Sequence, residues 1–220
     1  MDAKKGTIDA NFVKPGTLGS IVTTILDFAV SRGITVEEIA QVMDLSAVDY
    51  ARLDTRISND EVGRLMSLMI NRWPNTAISM EIARSAPFTM LGGLVKGAQF
   101  ANDIEAMLEW FVTNQKIISD QSMVHLEKTD AEVVMVVAHP HENQDQGILL
   151  EAATGLIWRL LKESTDLEIS LLRVEFAIAK PVPIVAYESF FQAPVSFQSG
   201  RNALVFSRES LSAPARDANP

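Results

Sequence analysis

The chain has 220 residues, of which 47% are hydrophobic and 21% are charged, and its net charge is −9. A chain of this length can bury one sizeable core and is short for two ordinary domains. Both halves are acidic, with 11 basic and 15 acidic residues up to Asp120 and 8 basic and 13 acidic residues after it, which excludes a basic module for nucleic-acid binding.

The sequence contains no cysteine, which excludes disulfides, thiolate metal sites and cysteine nucleophiles and fits a reducing compartment. No apolar run reaches the roughly 18 residues of a membrane span, and the lysines near the start interrupt any secretory signal. We therefore expect a cytoplasmic protein without membrane contact. Residues 1–16 are predicted to be a flexible tail and residues 17–220 a single domain.

The first half of the chain is predicted to be helical. Apolar residues recur at helical spacing from Thr17 and stop at Ser31-Arg32-Gly33, where glycine suits a helix end. Thr35 to Glu38 has the pattern of a capping box, and the same pattern recurs from Ser58 to Glu61 and, with asparagine as the cap, from Asn102 to Glu105. Further helices are predicted over residues 46–53, 59–73 and 76–85, and two more within 89–119.

Residues 33–53 also have the spacing of a helix-turn-helix DNA reader. A reading helix needs basic or amide side chains near its start, but Ser46 to Arg52 has a single basic residue, which follows Asp49. We therefore favour a packing role for this helix pair over DNA binding.

The second half changes to the period of strands. Met123 to Lys128 and Ala131 to Ala138 are predicted to form a hairpin, and the unbroken apolar run of the second strand indicates a central position. A helix over 147–163 follows, then a strand over 168–179 with Leu172, Val174, Phe176 and Ile178 on its core face. A short helix over 184–191 and a hairpin of 195–197 with 203–207 complete the chain. The fold class is α+β, with a helical N-terminal layer followed by a ββαβαββ mixed or antiparallel sheet.

The last part of the chain carries a family resemblance in Tyr187-Glu188-Ser189-Phe190-Phe191, Pro194-Val195-Ser196-Phe197 and Asn202-Ala203-Leu204-Val205-Phe206. Arg56-Ile57-Ser58 and Leu91-Gly92-Gly93-Leu94 precede these segments in the expected order. The chain resembles the N-terminal effector-binding domain, of the arabinose-binding type, of AraC-family transcriptional regulators. The resemblance covers most of residues 17–217. It departs at Ala179-Lys180-Pro181, where relatives often have a histidine-proline pair.

The resemblance implies a small-molecule effector, a homodimer and control of DNA through a C-terminal helix-turn-helix module that this sequence does not contain. The alternative is a stand-alone domain that binds a small molecule or a protein without binding DNA. An enzyme on the same scaffold is a further, weaker alternative.

No catalytic set is apparent among the polar residues, so we predict that the protein is not an enzyme and uses no cofactor. Nucleophile elbows and phosphate-binding glycine loops are missing from the sequence. His139 and His141 lie close together, but Pro140 and the surrounding loop give no fixed ligand geometry, and a structural metal site usually needs about four ligands. No metal site is therefore predicted.

Helical geometry supplies the candidate ligand-binding residues, for a pocket that we expect between the helical layer and the sheet. Arg159 falls within the apolar arc of the helix over 147–163, where it would meet an anionic effector group or pair with Glu163. Gln115 and Phe111 share the apolar stripe of the helix over 103–119, and Trp110 lies on a second stripe. A satisfied core glutamine is the alternative at Gln115.

Trp158 is the candidate dimer-interface residue. On a helical wheel it lies beside Glu151 and Thr154, away from the apolar arc, and is therefore expected to point outward. An exposed tryptophan often marks a contact surface, although cover by a neighbouring loop is equally compatible with this pattern.

Overall fold

The computed structural model of the protein describes residues 16–43, 56–91, 93–98, 100–140, 144–163, 169–181 and 184–211. Helices precede a mixed sheet in these ranges, which confirms the α+β fold class. The helices are α1 (Gly19–Ser31), α2 (Val36–Val42), α3 (Asn59–Arg72), α4 (Ile78–Ser85), α5 (Gly93–Ala98), α6 (Ile104–Asn114), α7 (Gln144–Glu163), α8 (Val185–Phe191) and α9 (Arg208–Leu211), with 3-10 turns at Phe88–Leu91 and Gln115–Ile117. The strands are β1 (Thr17–Leu18), β2 (Arg56–Ile57), β3 (Met123–Lys128), β4 (Glu132–Ala138), β5 (Leu171–Glu175), β6 (Val195–Ser196) and β7 (Asn202–Ser207).

The ends of the first helices follow the predicted signals. Gly33 has a φ of 92° just after α1. The hydroxyl of Thr35 accepts a hydrogen bond from the Glu38 N–H while the Glu38 carboxylate accepts one from the Thr35 N–H, so the capping box before α2 is confirmed. Ser58 caps α3 through the N–H of Asp60. The helix predicted over 46–53, the second of the possible DNA-reading pair, lies outside the described residues.

The predicted cap of α6 is wrong by one residue. Asp103, rather than Asn102, is the N-cap of the helix, and its carboxylate accepts a 2.7 Å hydrogen bond from the Ala106 N–H. A carboxylate at this position also interacts favourably with the positive end of the helix dipole, which favours Asp103 over the neutral amide.

The five-stranded sheet has the order β3-β4-β7-β5-β6. The predicted β3–β4 hairpin is confirmed, and β4 is an inner strand, as its apolar run indicates. The predicted hairpin of β6 with β7 is wrong, because β6 pairs in parallel with β5 while β7 lies antiparallel between β4 and β5. Helix α8 connects β5 to β6 as a crossover, and such a connection returns the chain parallel to the strand that it left.

Strand β5 is shorter than predicted and contains an irregularity between Leu171 and Arg173. Leu171 is buried whereas Leu172 is 43% exposed, so the prediction that Leu172 faces the core is wrong. An additional residue in one strand shifts the alternation of its side chains by one position. Val174 and Phe176 beyond the irregularity are buried, as predicted.

The aromatic residues that carry the family resemblance pack against one another. The ring of Phe176, directly after β5, lies 6.0 Å from Tyr187, 5.8 Å from Phe191 and 5.8 Å from Phe197, measured between centroids. Tyr187 and Phe197 also meet edge to face at 5.3 Å. These contacts hold α8 and the chain after β6 against the end of β5, so the resemblance is carried by residues that close the fold.

Helix α7 lies between the sheet and the helical layer, in contact with α3 and α4 on one side and with β4 and β7 on the other. The approach to α4 is close, since a Cβ added at Gly155 would lie 3.0 Å from the Cβ of Ala83. Most of the α7 side chains whose burial is described are buried or half-buried as a result. The helix is a central element of the domain rather than a surface layer.

A polar group of residues joins the start of the helical layer to the chain that leads into the sheet. The hydroxyl of Thr17 donates to the side-chain oxygen of Asn59 at 2.7 Å, and the Asn59 amide nitrogen donates to the Ser119 hydroxyl at 3.4 Å. All three residues are buried. Arg56 donates to the carbonyls of Gly16 and Lys116, which fixes the same junction from its exposed side.

Charged side chains cover the outer face of the sheet. Arg173 pairs with Glu132 and Glu175, and Arg201 pairs with Glu175 and Glu127. Burial opposes ionisation of Glu175, but the two guanidinium groups keep its pKa below the ordinary value. A small apolar cluster lies on this part of the sheet, formed by Val134, Val136, Ala203 and Val205.

Helix α5 is held by Trp110 of α6. The indole Nε1 donates to the Leu94 carbonyl at 3.1 Å, and the ring lies directly over Gly97. A Cβ added at Gly97 would lie only 2.0 Å from Cζ2 of Trp110, whereas a Cβ added at Gly93 would have no neighbour within 4 Å. Gly97 therefore permits a contact between α5 and α6 that a larger residue prevents.

We expect Gly97→Ala to destabilise the protein, because the hydrogen-bonded indole has to move away from the new methyl group. An overpacked contact of this kind costs about 1–3 kcal/mol. Gly93→Ala is the matched control in the same helix and should be neutral or stabilising by up to about 1 kcal/mol. Urea unfolding of both variants measures the difference, and equal stability of the two would contradict the role given to Gly97.

Candidate ligand-binding cavity

A cavity of about 600 Å³ lies at the end of the sheet where the central strand, β7, begins. We call it the polar cavity. It is bounded by the connection between α3 and α4, the first turns of α7, the chain after β5, and single residues of α8 and β7. Its lining consists of Ile70, Pro74, Thr76, Ile78, Ser79, Gly147, Ile148, Glu151, Ala177, Ile178, Ala179, Pro181, Tyr187 and Asn202.

Glu151 of α7 is the acidic residue of the lining and is only 2% exposed. The hydroxyls of Ser79 and Tyr187 face its carboxyl group and lower its pKa, while its Oε1 atom has no hydrogen-bond partner among the described residues. Burial raises the pKa of Glu151 to about 7, against the opposing effect of the two hydroxyls. Burial, together with the neighbouring Glu151 charge, also raises the pKa of Tyr187. The carboxyl group thus changes charge near neutral pH.

Asn202, the first residue of β7, is the second buried polar residue with unused hydrogen-bonding capacity. Its Oδ1 atom accepts a 3.2 Å hydrogen bond from the Ala177 N–H, and the residue is 1% exposed. Its Nδ2 atom has no hydrogen-bond partner in the described part of the chain. Most buried polar groups in proteins are paired, because an unpaired one costs about 1–3 kcal/mol. Two residues that line the polar cavity therefore each have an unpaired polar atom, an acceptor on Glu151 and a donor on Asn202.

Arg159, a predicted ligand residue on α7, does not line the polar cavity. Its side chain instead reaches the end of α4. Its Nη1 atom donates to the carbonyls of Ala83 and Ala86 at 2.9 and 2.7 Å, and its Nε atom donates to Glu163 at 2.7 Å. The carbonyls at the end of a helix lack partners within the helix, and a cation there also interacts favourably with the helix dipole. Arg159 thus caps α4 and makes the pair with Glu163 that the sequence left open. Its contact with an effector stays a prediction.

Gln115 and Phe111 line a smaller, mainly apolar cavity of about 90 Å³ between α1, α6, α7 and the inner face of β3 and β4. The Gln115 amide nitrogen donates to the carbonyls of Val112 and Val124, and its oxygen accepts from the Val124 N–H. The side chain therefore ties the end of α6 to β3, as the core interpretation of Gln115 anticipated. Trp110 packs on α5 and lines neither cavity.

The outward orientation predicted for Trp158 is wrong. Its side chain is 2% exposed and its ring lies 6.4 Å from that of Phe206 on β7. Glu151 and Thr154, which share this face of the helical wheel, are buried as well. The sheet and α8 cover the face, so Trp158 offers no surface to a second protomer. Dimerisation itself stays a prediction.

Sequence reasoning missed the residues that make the polar cavity. Tyr187 and Asn202 were recognised as parts of the family pattern, but their contacts with α7 and the chain after β5 are long-range. Glu151 had one visible signal, namely a carboxylate on the same helical face as a tryptophan. Ala179 and Pro181, at the corner where the chain departs from its relatives, also line the cavity.

Among the described residues, no group of three or more histidine, aspartate or glutamate side chains is arranged to hold a metal ion. No helix in the described ranges has both the length and the apolar character needed to cross a bilayer.

Comparison with known proteins agrees with this architecture. The family described as the arabinose-binding domain of AraC transcription regulators, N-terminal, matches residues 33–215. The fold is similar to that of the transcriptional regulator CdpR from Pseudomonas aeruginosa, with a TM-score of 0.61 and 14% sequence identity. This similarity covers 89% of the chain and 57% of the CdpR chain, and at this identity it shows the fold alone. No curated protein matches the sequence.

The raised pKa of Glu151 predicts a specific pH dependence of stability. Below the ordinary glutamate pKa of 4.5 the carboxyl is neutral in both folded and unfolded protein, and the folded state loses stability as pH rises toward about 7. The loss is roughly 3 kcal/mol at 1.36 kcal/mol per pKa unit. Glu151→Gln should lack this component.

The measurement is urea unfolding of wild type and Glu151→Gln at several pH values. Subtracting the two free energies of unfolding cancels the contributions of the other carboxylates. Glu175 is one of these, and its lowered pKa changes stability with pH in the opposite direction. A stability difference between the two proteins that does not change from pH 4 to pH 8 would show that the pKa of Glu151 is the same in the folded and the unfolded protein.

Proposed function

Because the chain belongs to the family of N-terminal arabinose-binding domains of AraC transcription regulators, we propose that it is the effector-binding domain of such a regulator and binds a small molecule in the polar cavity. The domain acts by binding rather than by catalysis. It works in the cytoplasm, where regulators of transcription meet their effectors. DNA is contacted by another module of the regulator, since both halves of this chain are acidic.

The observation that carries the proposal is that Glu151 and Asn202, two residues lining one cavity, each have a buried polar atom without a hydrogen-bond partner among the described residues. A cavity of about 600 Å³ is within the range of ligand pockets, and convergent polar groups on an apolar lining are typical of such sites. The smaller cavity beside Phe111 and Gln115 has a volume of about 90 Å³, and the Gln115 amide is already bonded to the backbone. The polar cavity is therefore the better candidate for an effector.

The position of the polar cavity suggests how an effector changes the domain. Its walls come from the helical layer, from α7, from α8 and from the start of β7, which are distant in sequence. A ligand that contacts all of these walls binds most tightly to the arrangement in which they are close. It thereby shifts the domain toward that arrangement, by as much as its affinity for the alternatives is lower.

A tryptophan at the rim of the polar cavity should block effector binding. Ala179 lines the cavity and is exposed, so Ala179→Trp adds bulk there without disturbing the core. Ala40→Trp is the matched control on exposed α2, outside the cavity. Compounds that raise the melting temperature of wild type and Ala40→Trp by linkage should not raise that of Ala179→Trp.

Native mass spectrometry of the three proteins provides the independent readout of binding. If every stabilising compound binds Ala179→Trp as well as it binds the control, then the effector site lies outside the polar cavity. If the Ala40→Trp control also loses binding, the effect comes from a global change of the domain.

The regulator assignment also predicts a homodimer, because regulators that read two half-sites of DNA are commonly two-fold symmetric. Sedimentation velocity over a range of concentrations should show a monomer–dimer equilibrium that shifts when an effector binds. Ala179→Trp should retain the equilibrium and lose the shift. A monomer at every concentration, with and without effector, would contradict dimerisation through this domain.

A further inference from the structure

The chemistry of the polar cavity restricts the kind of molecule that it can bind. Glu151 offers an unpaired carboxyl oxygen and Asn202 offers an unpaired amide nitrogen, both nine-tenths buried or more. A matching ligand places a donor at Glu151 and an acceptor at Asn202. A ligand that lacks either group leaves a buried polar atom unpaired, which costs affinity.

The surroundings of Glu151 contain no compensating positive charge among the described residues that line the cavity. Helix α4 presents the Ser79 hydroxyl to the carboxyl, and α8 presents the Tyr187 hydroxyl. The α3–α4 connection and the chain after β5 contribute neutral lining residues, and so does the described first part of α7 around Glu151. Among the described residues that line the cavity, the groups that face the carboxylate are therefore neutral hydroxyls.

A cationic hydrogen-bond donor gains more binding free energy beside Glu151 than a neutral donor does. A charge-assisted hydrogen bond is roughly twice as strong as a neutral bond, and the attraction between opposite charges grows as water is excluded. An anionic ligand meets the opposite situation, because it brings a second negative charge next to Glu151.

We propose that the polar cavity binds a small amine, with its protonated amino group at Glu151 and a hydrogen-bond acceptor of the same molecule at Asn202. The proposal rests on the polar cavity being the effector site, and it adds the chemical class of the effector. It also separates the domain from a pure sugar sensor, since a neutral sugar supplies only hydroxyl donors to the carboxylate.

The pH dependence of binding follows from the same geometry. The amine pairs with the carboxylate form of Glu151, so the proton and the ligand compete for one group. Ser79 and Tyr187, the groups that face this carboxyl from α4 and α8, are neutral near pH 7. With a pKa of about 7, affinity should be about tenfold lower at pH 6 than at pH 8, where the amine is still protonated. A ligand that needs the protonated carboxyl would show the reverse dependence.

The experiment uses straight-chain amino alcohols as probes, with the corresponding diols and hydroxy acids of equal length as neutral and anionic controls. Isothermal titration calorimetry at pH 8 should give the amino alcohols at least tenfold higher affinity for wild type than either control series. Alkylamines without the hydroxyl should bind several-fold more weakly, because they provide no acceptor to Asn202. L-Arabinose serves as the neutral sugar.

Two variants test whether Glu151 is the residue that selects the amine. Glu151→Gln should reduce amino-alcohol affinity at least tenfold and abolish its pH dependence. Glu188→Gln removes an exposed carboxylate from α8 and should leave both unchanged. Because the probe series and the pH profile are also measured on wild type, the proposal stays testable even if Glu151→Gln folds poorly.

Three outcomes overturn the amine assignment: diols, hydroxy acids or arabinose binding as tightly as amines, no probe binding at all, or equal amine affinity in wild type and Glu151→Gln. The rim variant Ala179→Trp separates this failure from failure of the proposed function. If it blocks binding of a neutral or anionic compound, the polar cavity remains the effector site and only the amine class is wrong. If amines bind Ala179→Trp unchanged, both proposals fail at this site.

Discussion

The packing of α7 between the sheet and the helical layer is the constraint on which the rest of the domain depends. Gly155 brings this helix close enough to α4 for side chains to meet at van der Waals distance, and Arg159 of the same helix caps the end of α4. On the other side Trp158 packs against Phe206 of the central strand. A helix enclosed in this way cannot shift without disturbing both layers, because protein interiors are packed as densely as crystals. The two layers therefore respond together to anything that contacts α7.

The enclosure of α7 also explains the unusual properties of the candidate site. A glutamate on a surface helix is solvated and carries its charge at neutral pH, whereas Glu151 is buried with two neutral hydroxyls and has a raised pKa. Keeping such a group in a core reduces stability, and strongly perturbed acids are often found at functional sites. This loss of stability occurs at the point where α7 lines the polar cavity. Structure and function are thus linked through one residue of the central helix.

Local sequence signals predicted the parts of the fold that local interactions determine. The Gly33 helix end, the Thr35 capping box and the β3–β4 hairpin depend on neighbouring residues and were predicted correctly. The partner of β6 depends on the crossover through α8 and was predicted wrongly. The outward orientation of Trp158 was predicted wrongly for a third reason, because a helical wheel assumes one apolar face and one solvent face. A helix covered on both sides breaks that assumption, and Glu151 lies on the face that the wheel placed away from the apolar arc.

The oxygen of the Asn202 amide is hydrogen-bonded within the domain, whereas its nitrogen has no partner among the described residues. The oxygen is already held by the backbone of Ala177, so the rotation that would point the nitrogen elsewhere is suppressed before any ligand arrives. A donor with a fixed direction loses little conformational entropy on binding and rejects acceptors that approach from other angles. The amide also joins the first residue of the central strand to the segment that leads to the cavity rim. Recognition and rim position are thereby set by a single preorganised side chain.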